Sequence, residues 1–304
     1  MNVTKKIAVV TGGTGFIGSH LVTALLAEEY VVKIIDNESS GKQRKIPEGA
    51  EFFGQDINDT AALTKVMRGA DFVFHFAALP RVQYSIEYPL ETNAVNVGGT
   101  VSVLKAAHDA GVKRVVYSAS SSAYGDQAVM PLTEDMPASP KSPYGLQKYI
   151  GELYCRVFSD VYGLSTVSLR YFNVYGSGAS TEGAYALVIA KFLKQRSLGE
   201  PMTITGDGKQ TRDFTHVHDV VRANILAANS ERVGKGEVIN IGAGKNASVL
   251  HIAKLIGGPV THIAARLEPH DTLADNSLAK KLLGWEPGVS LEDGITELKK
   301  EFNL

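Results

Sequence analysis

Apolar positions along the chain repeat with two periods. Compact runs rich in Val, Ile and aromatics recur at Ile7–Thr11 (IAVVT), Val31–Asp36 (VVKIID), Phe72–Phe76 (FVFHF), Arg114–Ser118 (RVVYS) and Thr166–Arg170 (TVSLR). Several are apolar nearly throughout, the pattern of strands covered on both faces. Between them lie Gly15–Glu28, Asp59–Arg68 and Glu91–Ala110, segments long enough for roughly two to five helical turns. Strand–helix–strand alternation of this kind predicts a parallel sheet with helices on both faces, a doubly wound α/β fold.

Past Arg170 the texture changes. Asn173–Gly183, with Gly176, Gly178 and Gly183, reads as a loop, and a helical stretch follows near Ala184–Gln195. A second loop, Gly206–Arg212, precedes the helix-like Asp219–Ala228, and Val238–Ile241 (VINI) predicts another strand. Pro259, Pro269 and Pro287 break the remainder into short helices and turns. Residues 1–169 are expected to form one domain, with segments near 214–242 returning to it. Residues 170–304 are expected to form a smaller, interleaved C-terminal α/β domain.

Composition narrows the class of function. The 304 residues are 44% hydrophobic and 21% charged, ordinary globular values. Lys plus Arg number 31 against 32 Asp plus Glu, a formal charge of -1 that provides no attraction toward nucleic acid or a membrane surface. Cys155 is the single cysteine, so no intrachain disulfide can form, and it reads as a small buried hydrophobe on a helix. No apolar run reaches the length of a membrane span. Lys5 and Lys6 precede apolar residues as in a signal peptide, but TGGTG interrupts the apolar stretch at once. The expectation is a soluble, cytoplasmic protein.

The first chemistry-bearing feature is Gly12-Gly13-Thr14-Gly15-Phe16-Ile17-Gly18. It follows a predicted strand and opens a predicted helix. Glycines there permit a tight turn, close approach to a pyrophosphate and close helix–sheet packing, and the first helical N–H groups face the anion. Asp36, 18 residues past Gly18, stands where a carboxylate accepts from adenosine ribose hydroxyls and repels a 2′-phosphate. The pair predicts a Rossmann domain that binds NAD. Lys42 and Arg44 keep NADP as the competing cofactor.

The second feature is Ser142-Pro143-Tyr144-Gly145-Leu146-Gln147-Lys148. Ser142 suits an N-cap and Pro143 the first helical position, so Tyr144 and Lys148 share a face. A free tyrosine titrates near pH ~10. A lysine ammonium beside it, with the positive nicotinamide of an oxidised cofactor, stabilises the phenolate and makes it a usable base. The strand at 114–118 runs into a hydroxyl cluster, Ser118 to Ser122, at the strand end where such sheets place ligands. Ordinary turn serines account for most of that cluster.

Together these segments resemble the extended short-chain dehydrogenase/reductase family, specifically the nucleotide-sugar branch that includes UDP-glucose and UDP-N-acetylglucosamine 4-epimerases. The matching stretches are TGGTGFIGSH, Asp36, Asp56-Ile57, HFAA at 75–78, NVGGT at 96–100, SASSSAYG, YGLQK and LRYFNVYG at 169–176. Further on come GDGKQTRDFTHVHDV at 206–220, INIGAG at 239–244 and LADNSLAKKLLGWEP at 273–287. The resemblance implies that Gly12, Gly15, Phe16 and Ile17 line the pyrophosphate. It puts Asp36 at the adenosine ribose, Asp56 and Ile57 at the adenine, and Asn37 and Gly41 within the cofactor site. Ala77, Ala78, Asn96 and Tyr171 complete the implied cofactor set, with Lys148 on the nicotinamide ribose. Counting back four from the Tyr-Gly pair, as the family does, selects Ser120 as the active-site hydroxyl, with Ser121 the neighbouring choice. Asn173, Arg212 and Arg266 fall at substrate-diphosphate positions, and Thr272 beside the sugar 2-substituent. A small residue there leaves room for an acetamido group, although Thr272 could equally only pack against a loop.

Dehydratases and decarboxylases of the same branch carry Asp or Glu before the Tyr-Gly pair, where this chain has Ser121 and Ser122. Lacking that acid, the set suits oxidation and re-reduction of one carbon: reversible 4-epimerisation of an NDP-hexose with resident NAD. Two alternatives stand beside it, a net NAD(P)-dependent keto-sugar reductase or dehydrogenase and a non-catalytic dinucleotide-sensing relative. His216 and His218 have no third metal-type ligand at a suitable spacing and read as structural, so no metal is expected. The family resemblance also implies a homodimer through helices near Asn93–Ala110 and Tyr144–Phe158.

Overall fold

The computed structural model describes residues 5–39, 46–80, 82–181, 187–264 and 271–304. Strands β1 (Ile7–Thr11), β2 (Val31–Ile35), β3 (Ala50–Phe53), β4 (Phe72–His75), β5 (Arg114–Ser120) and β6 (Thr166–Tyr171) belong to one sheet. Three short strands, β7 (Val174–Tyr175), β8 (Met202–Thr205) and β9 (Thr211–Asp213), follow, then β10 (Thr215–His216). β11 (Lys235–Ile241) returns to the large sheet, ahead of β12 (Asn246–Ser248) and β13 (Val260–Ile263). The order β11-β6-β5-β4-β1-β2-β3 is parallel throughout. This is a Rossmann-type α/β fold. The residual pairs are β7 with β10, β9 with β12 and β8 with β13.

Helices α1 (Phe16–Ala27), α2 (Thr60–Met67), α3 (Val82–Glu87), α4 (Pro89–Asn93), α5 (Thr100–Ala110) and α6 (Pro143–Tyr162) belong to the first half. The second half carries α7 (Val188–Ser197), α8 (Val217–Asn229), α9 (Val249–Ile256), α10 (Ser277–Leu283) and α11 (Leu291–Glu301). Leu21 and Leu25 of α1, Val220 of α8 and Trp285 cover one sheet face. Leu63 and Met67 of α2, Val103 and Leu104 of α5, and Cys155 and Phe158 of α6 cover the other. A separate core joins Ile189 and Phe192 of α7 to Met202, Ile204, Ile252 and Ile295. Apolar burial of this kind, ~25 cal/mol per Å², drives both layers together.

Local chemistry sets the ends. Asp59 caps α2 by accepting from Ala62 N–H, and Ser142 caps α6 by accepting from Gly145 N–H. Gly111 and Gly163 end α5 and α6 in the left-handed region.

Short strands β7, β9, β12 and β13 form where the sequence pattern reads loops, short helices and turns, and three further elements differ from it. β5 continues two residues past Ser118 to Ser120, because Ala119 and Ser120 pair with Arg170 and Tyr171. β3, whose alternation is weak, forms as the sheet edge by pairing with β2. The expected helix 91–110 contains a wider π-turn at Ala94–Gly99. Side-chain bonds made by Asn96 and the entry of Ile57 against Gly99 occupy that turn; a Cβ on Gly99 would lie 2.4 Å from Ile57 Cδ1. Such turns occur frequently at functional sites.

Connections from β1 lead to β2 on one side, and β4 lies on the other. The crevice at this switch point, outside the carboxyl ends of β1, β4 and β5, is where open α/β sheets receive ligands.

Candidate active site

The turn after β1 is built for close approach. Gly12 has φ +70, and a Cβ there would lie 2.6 Å from Ala77 N. A Cβ on Gly18 would lie 2.2 Å from Gly12 O, so both glycines are required by packing. Gly15 is different: its Cβ would meet only Gly12 O, at 3.1 Å. It is the N-cap of α1 and supplies no capping side chain to the N–H groups of Phe16 and Ile17. A helix start without a side-chain cap, opened by a glycine, fits a diphosphate.

Asp36 lies just past β2 and is bonded to this turn. Its Oδ2 accepts from Thr14 N–H at 3.1 Å and Thr14 Oγ1 at 2.6 Å, and its Oδ1 from Glu38 N–H at 2.8 Å. Asn37 Nδ2 donates to Asp56 at 3.1 Å, joining two further residues of the implied set. The Asn58 backbone N–H, helped by the Asn58 and Asn37 side-chain amides, holds the Asp56 carboxyl below the usual range against its partial burial. Ile57 is buried beside Gly99. Ala77 and Ala78 follow β4, with Ala77 against Gly12 and Ala78 half-buried. Gly41 and Arg266, like Lys42 and Arg44, fall outside the described residues.

A hydrogen-bonded chain supports that cradle from below. Thr100 Oγ1 donates to Asn96 O (2.7 Å) and accepts from His75 Nε2 (3.0 Å). Thr11 Oγ1 accepts from Ala77 N–H (3.3 Å) and donates to His75 Nδ1 (2.8 Å). The bonds are mutually consistent with one tautomer, the neutral ring with its proton on Nε2. Burial, with the Lys148 charge nearby, pushes His75 down to about 3. Asn96 is itself a clamp: Oδ1 accepts from Leu79 N–H, and Nδ2 donates to Leu79 O and to Gln147 Oε1 on α6. It thereby ties the segment after Ala78 to the helix that carries Tyr144 and Lys148.

Tyr144 and Lys148 lie one turn apart at the start of α6. Tyr144 N–H donates to Ser85 Oγ at 3.0 Å, and its side chain is half-buried. Lys148 is 4% exposed. Its Nζ donates to Ser118 O at 2.7 Å, and burial pushes it down to about 8 against the pull of the Glu152 charge. The first turn of α6 packs on the serine turn: a Cβ on Gly145 would lie 2.6 Å from Ser122 O. Ser120, at the tip of β5, accepts from Ser122 N–H and donates to Ser122 Oγ. Ser121 begins the short 3-10 turn that follows and is half-buried. Tyr171 pairs with Ser120 in register but sends its hydroxyl away, to Asn224 Oδ1 at 3.0 Å.

Past the end of β6, Asn173, Asp213 and Thr272 form one cluster. Asn173 Nδ2 donates to Asp213 O and Thr272 Oγ1, and Asp213 N–H donates to the same threonine hydroxyl. Arg212 is half-buried beside them, with Nη1 on Thr211 O. Asp213 is the residue the sequence pattern passes over. Its carboxylate accepts from Ala243, Gly244 and Ala274 N–H groups, pinning three loops, and burial pushes it up to about 6 despite those bonds. Only its place inside GDGKQTRDFTHVHDV marks it in the sequence. His216 caps α8 by accepting from His218 N–H, and among the described residues no group of metal-ligand type is assembled. Among them, too, no helix is long and apolar enough to cross a membrane.

Residues 8–242 match the model of the NAD dependent epimerase/dehydratase family. A putative UDP-glucose 4-epimerase of Methanocaldococcus jannaschii is 37% identical over 295 residues, covering 94% of this chain and 95% of its own. Two solved structures superpose over nearly the whole length. One is a Thermotoga maritima UDP-glucose 4-epimerase with UDP-glucose (TM-score 0.92, 38% identity, 98% of each chain). The other is a Methanobrevibacter ruminantium UDP-N-acetylglucosamine 4-epimerase with UDP-N-acetylmuramic acid (TM-score 0.93, 37% identity, 99% of each chain).

Proposed function

From the premise that the chain belongs to the NAD dependent epimerase/dehydratase family, we propose that it interconverts UDP-linked hexoses at C4. The observation that carries this is the placement of Tyr144 and Lys148 on the first turns of α6, packed against the serine turn of β5, with Ser121 and Ser122 where a further acid would drive elimination or decarboxylation.

NAD fits the cradle on the chemistry present. Gly12, Gly15, Phe16 and Ile17 would hold its diphosphate, Asp36 and Asn37 the adenosine ribose, and Asp56 and Ile57 the adenine. Ala77 and Ala78 would let the backbone come close, and Lys148 would hold the second ribose. When bound, the cofactor supplies a hydride acceptor that later returns the same hydride.

Tyr144, as phenolate, takes the proton of the sugar 4-hydroxyl, directly or through Ser120. Lys148 holds that phenolate charged. Ser120 orients the oxygen at C4, and Ser121 is its neighbour on the same turn. The 4-keto sugar turns while Asn173, Arg212 and Arg266 keep its diphosphate, and Tyr144 returns the proton to the opposite epimer. Arginine's fixed charge and forked donors suit that anion. The sheet domain thus serves the dinucleotide and residues 170–304 mainly the nucleotide sugar.

N-acetylated hexoses belong to the same proposal. Thr272 is small and its hydroxyl is turned onto Asn173 and Asp213. A homodimer does too: Leu146, Leu153, Val157 and Val161 leave an exposed apolar stripe along α6.

The test is proton NMR of the purified protein with UDP-glucose, UDP-N-acetylglucosamine and UDP-glucuronate, each supplied separately. Expected is a mixture of C4 epimers from at least one of the first two, with no stoichiometric change in nicotinamide absorbance. Stoichiometric cofactor turnover would mean a reductase instead, and no exchange across the panel a sensor.

A further inference from the structure

Lys148 must carry its charge in a place that disfavours charge. Among the described residues, its ammonium has one hydrogen-bond acceptor within the protein, Ser118 O. It has one further partner, the ring of Tyr117, whose centroid lies 5.0 Å from Nζ. Tyr117 is a β5 residue 1% exposed. Its hydroxyl reaches the same residue's backbone, 3.4 Å from Lys148 O. The helix above has been cleared to admit it. Gly151, inside α6, would place a Cβ 2.2 Å from Tyr117 Oη and 2.4 Å from its Cζ. Glycine is otherwise a poor residue for a helix interior, so the ring's position explains a local cost in the helix that bears the reacting pair.

We infer, resting on the reading of Tyr144 and Lys148 given above, that Tyr117 is a positioning residue whose ring face carries the Lys148 ammonium and thereby sustains the charge acting on Tyr144. The face of an aromatic ring is its negative pole, and it attracts a cation most strongly where water is excluded. Burial raises the Tyr117 phenol well above its usual range, so the ring itself stays neutral.

The other groups facing Lys148 do not replace it. His75, from β4, is neutral and packs its ring against Tyr117 at 5.7 Å. On α6, Cys155 is buried and pushed up to about 12, hence uncharged. Glu152 also pulls on the Lys148 charge, but its carboxylate is hydrogen-bonded to Arg170 at 2.8 and 2.7 Å and makes no hydrogen bond to the ammonium. Tyr144 is the group being served.

The test keeps the ring's shape and changes its electrostatics. Tyr117→Phe is the reference, and phenylalanines bearing one, two and three ring fluorines at position 117 progressively remove the negative face. The midpoint of Lys148 is read by NMR of 13C,15N-labelled lysine in the full chain without sugar, its signal assigned by loss in Lys148→Met. Tyr117→Phe is expected to stay within a few tenths of a pH unit of the parent. The trifluorinated ring should lower the midpoint by about one pH unit, and the basic limb of kcat/KM for C4 epimerisation should descend by the same amount. A constant midpoint along the fluorine series overturns the inference, whatever the activity. A falling midpoint in a protein that epimerises no sugar nucleotide overturns the functional reading instead, since the ring–ammonium contact is measured independently of turnover.

Discussion

Thr14 gives Asp36 two hydrogen bonds, from its backbone N–H at 3.1 Å and from its hydroxyl at 2.6 Å. The carboxylate that would receive the adenosine ribose is therefore set by the same turn that would receive the diphosphate. Asp36→Ala should weaken NAD binding by about 10- to 100-fold, the range for a lost charge-assisted hydrogen bond. It should also narrow the preference over NADP, because the repulsion of a 2′-phosphate goes with the charge. Calorimetric titration with both dinucleotides checks this.

Two glycines of one motif should respond differently to the same change. Gly18→Ala drives a Cβ to 2.2 Å from Gly12 O and should destabilise the fold by about 1–3 kcal/mol. Gly15→Ala meets one atom at 3.1 Å. It should cost less stability than Gly18→Ala, while dinucleotide affinity drops about tenfold, ~1.4 kcal/mol. Paired thermal melts with and without NAD separate the two.

Tyr144→Phe should lower turnover by at least ~10²-fold, the contribution of a positioned acid–base group, and leave NAD binding intact. In the parent enzyme, kcat/KM should fall as pH rises through about 8, where Lys148 loses its proton. Lys148→Met should lack that limb.

His75 makes the fold acid-sensitive. Its native value near 3 lies below the ordinary 6.5, so the unfolded chain binds the extra proton between those values and stability falls as pH drops through that window. The slope approaches ~1.4 kcal/mol per pH unit from this one group. His75→Gln should flatten it in urea melts taken between about pH 4 and 6, within that window.

The α6 stripe should govern assembly. Val161 is 70% exposed and Val157 46%. Sedimentation should show the proposed dimer for the parent and a monomer for Val157→Glu with Val161→Glu, with the far-UV spectrum unaltered, since neither side chain supports the core.

The parallel sheet and the glycine turn were legible in the chain because buried strands must be apolar on both faces and a phosphate-binding turn must shed its Cβ atoms. The spacing of Tyr144 and Lys148 was legible for a similar reason: a helix dictates what lies one turn away. What had no linear signature were relationships across the sheet. Tyr117 reads as one more strand aromatic until Gly151, 34 positions on by the numbering, is seen to make room for its ring. His75 reads as a polar blemish in FVFHF until Thr11 and Thr100 close on its two nitrogens. Asp213 reads as a loop acid until three backbone N–H groups from distant segments converge on it. Periodicity and turn chemistry act over a few residues and so are written locally, whereas a buried polar group is satisfied by whatever the packed chain brings within about 3 Å, and only the folded arrangement decides what that is.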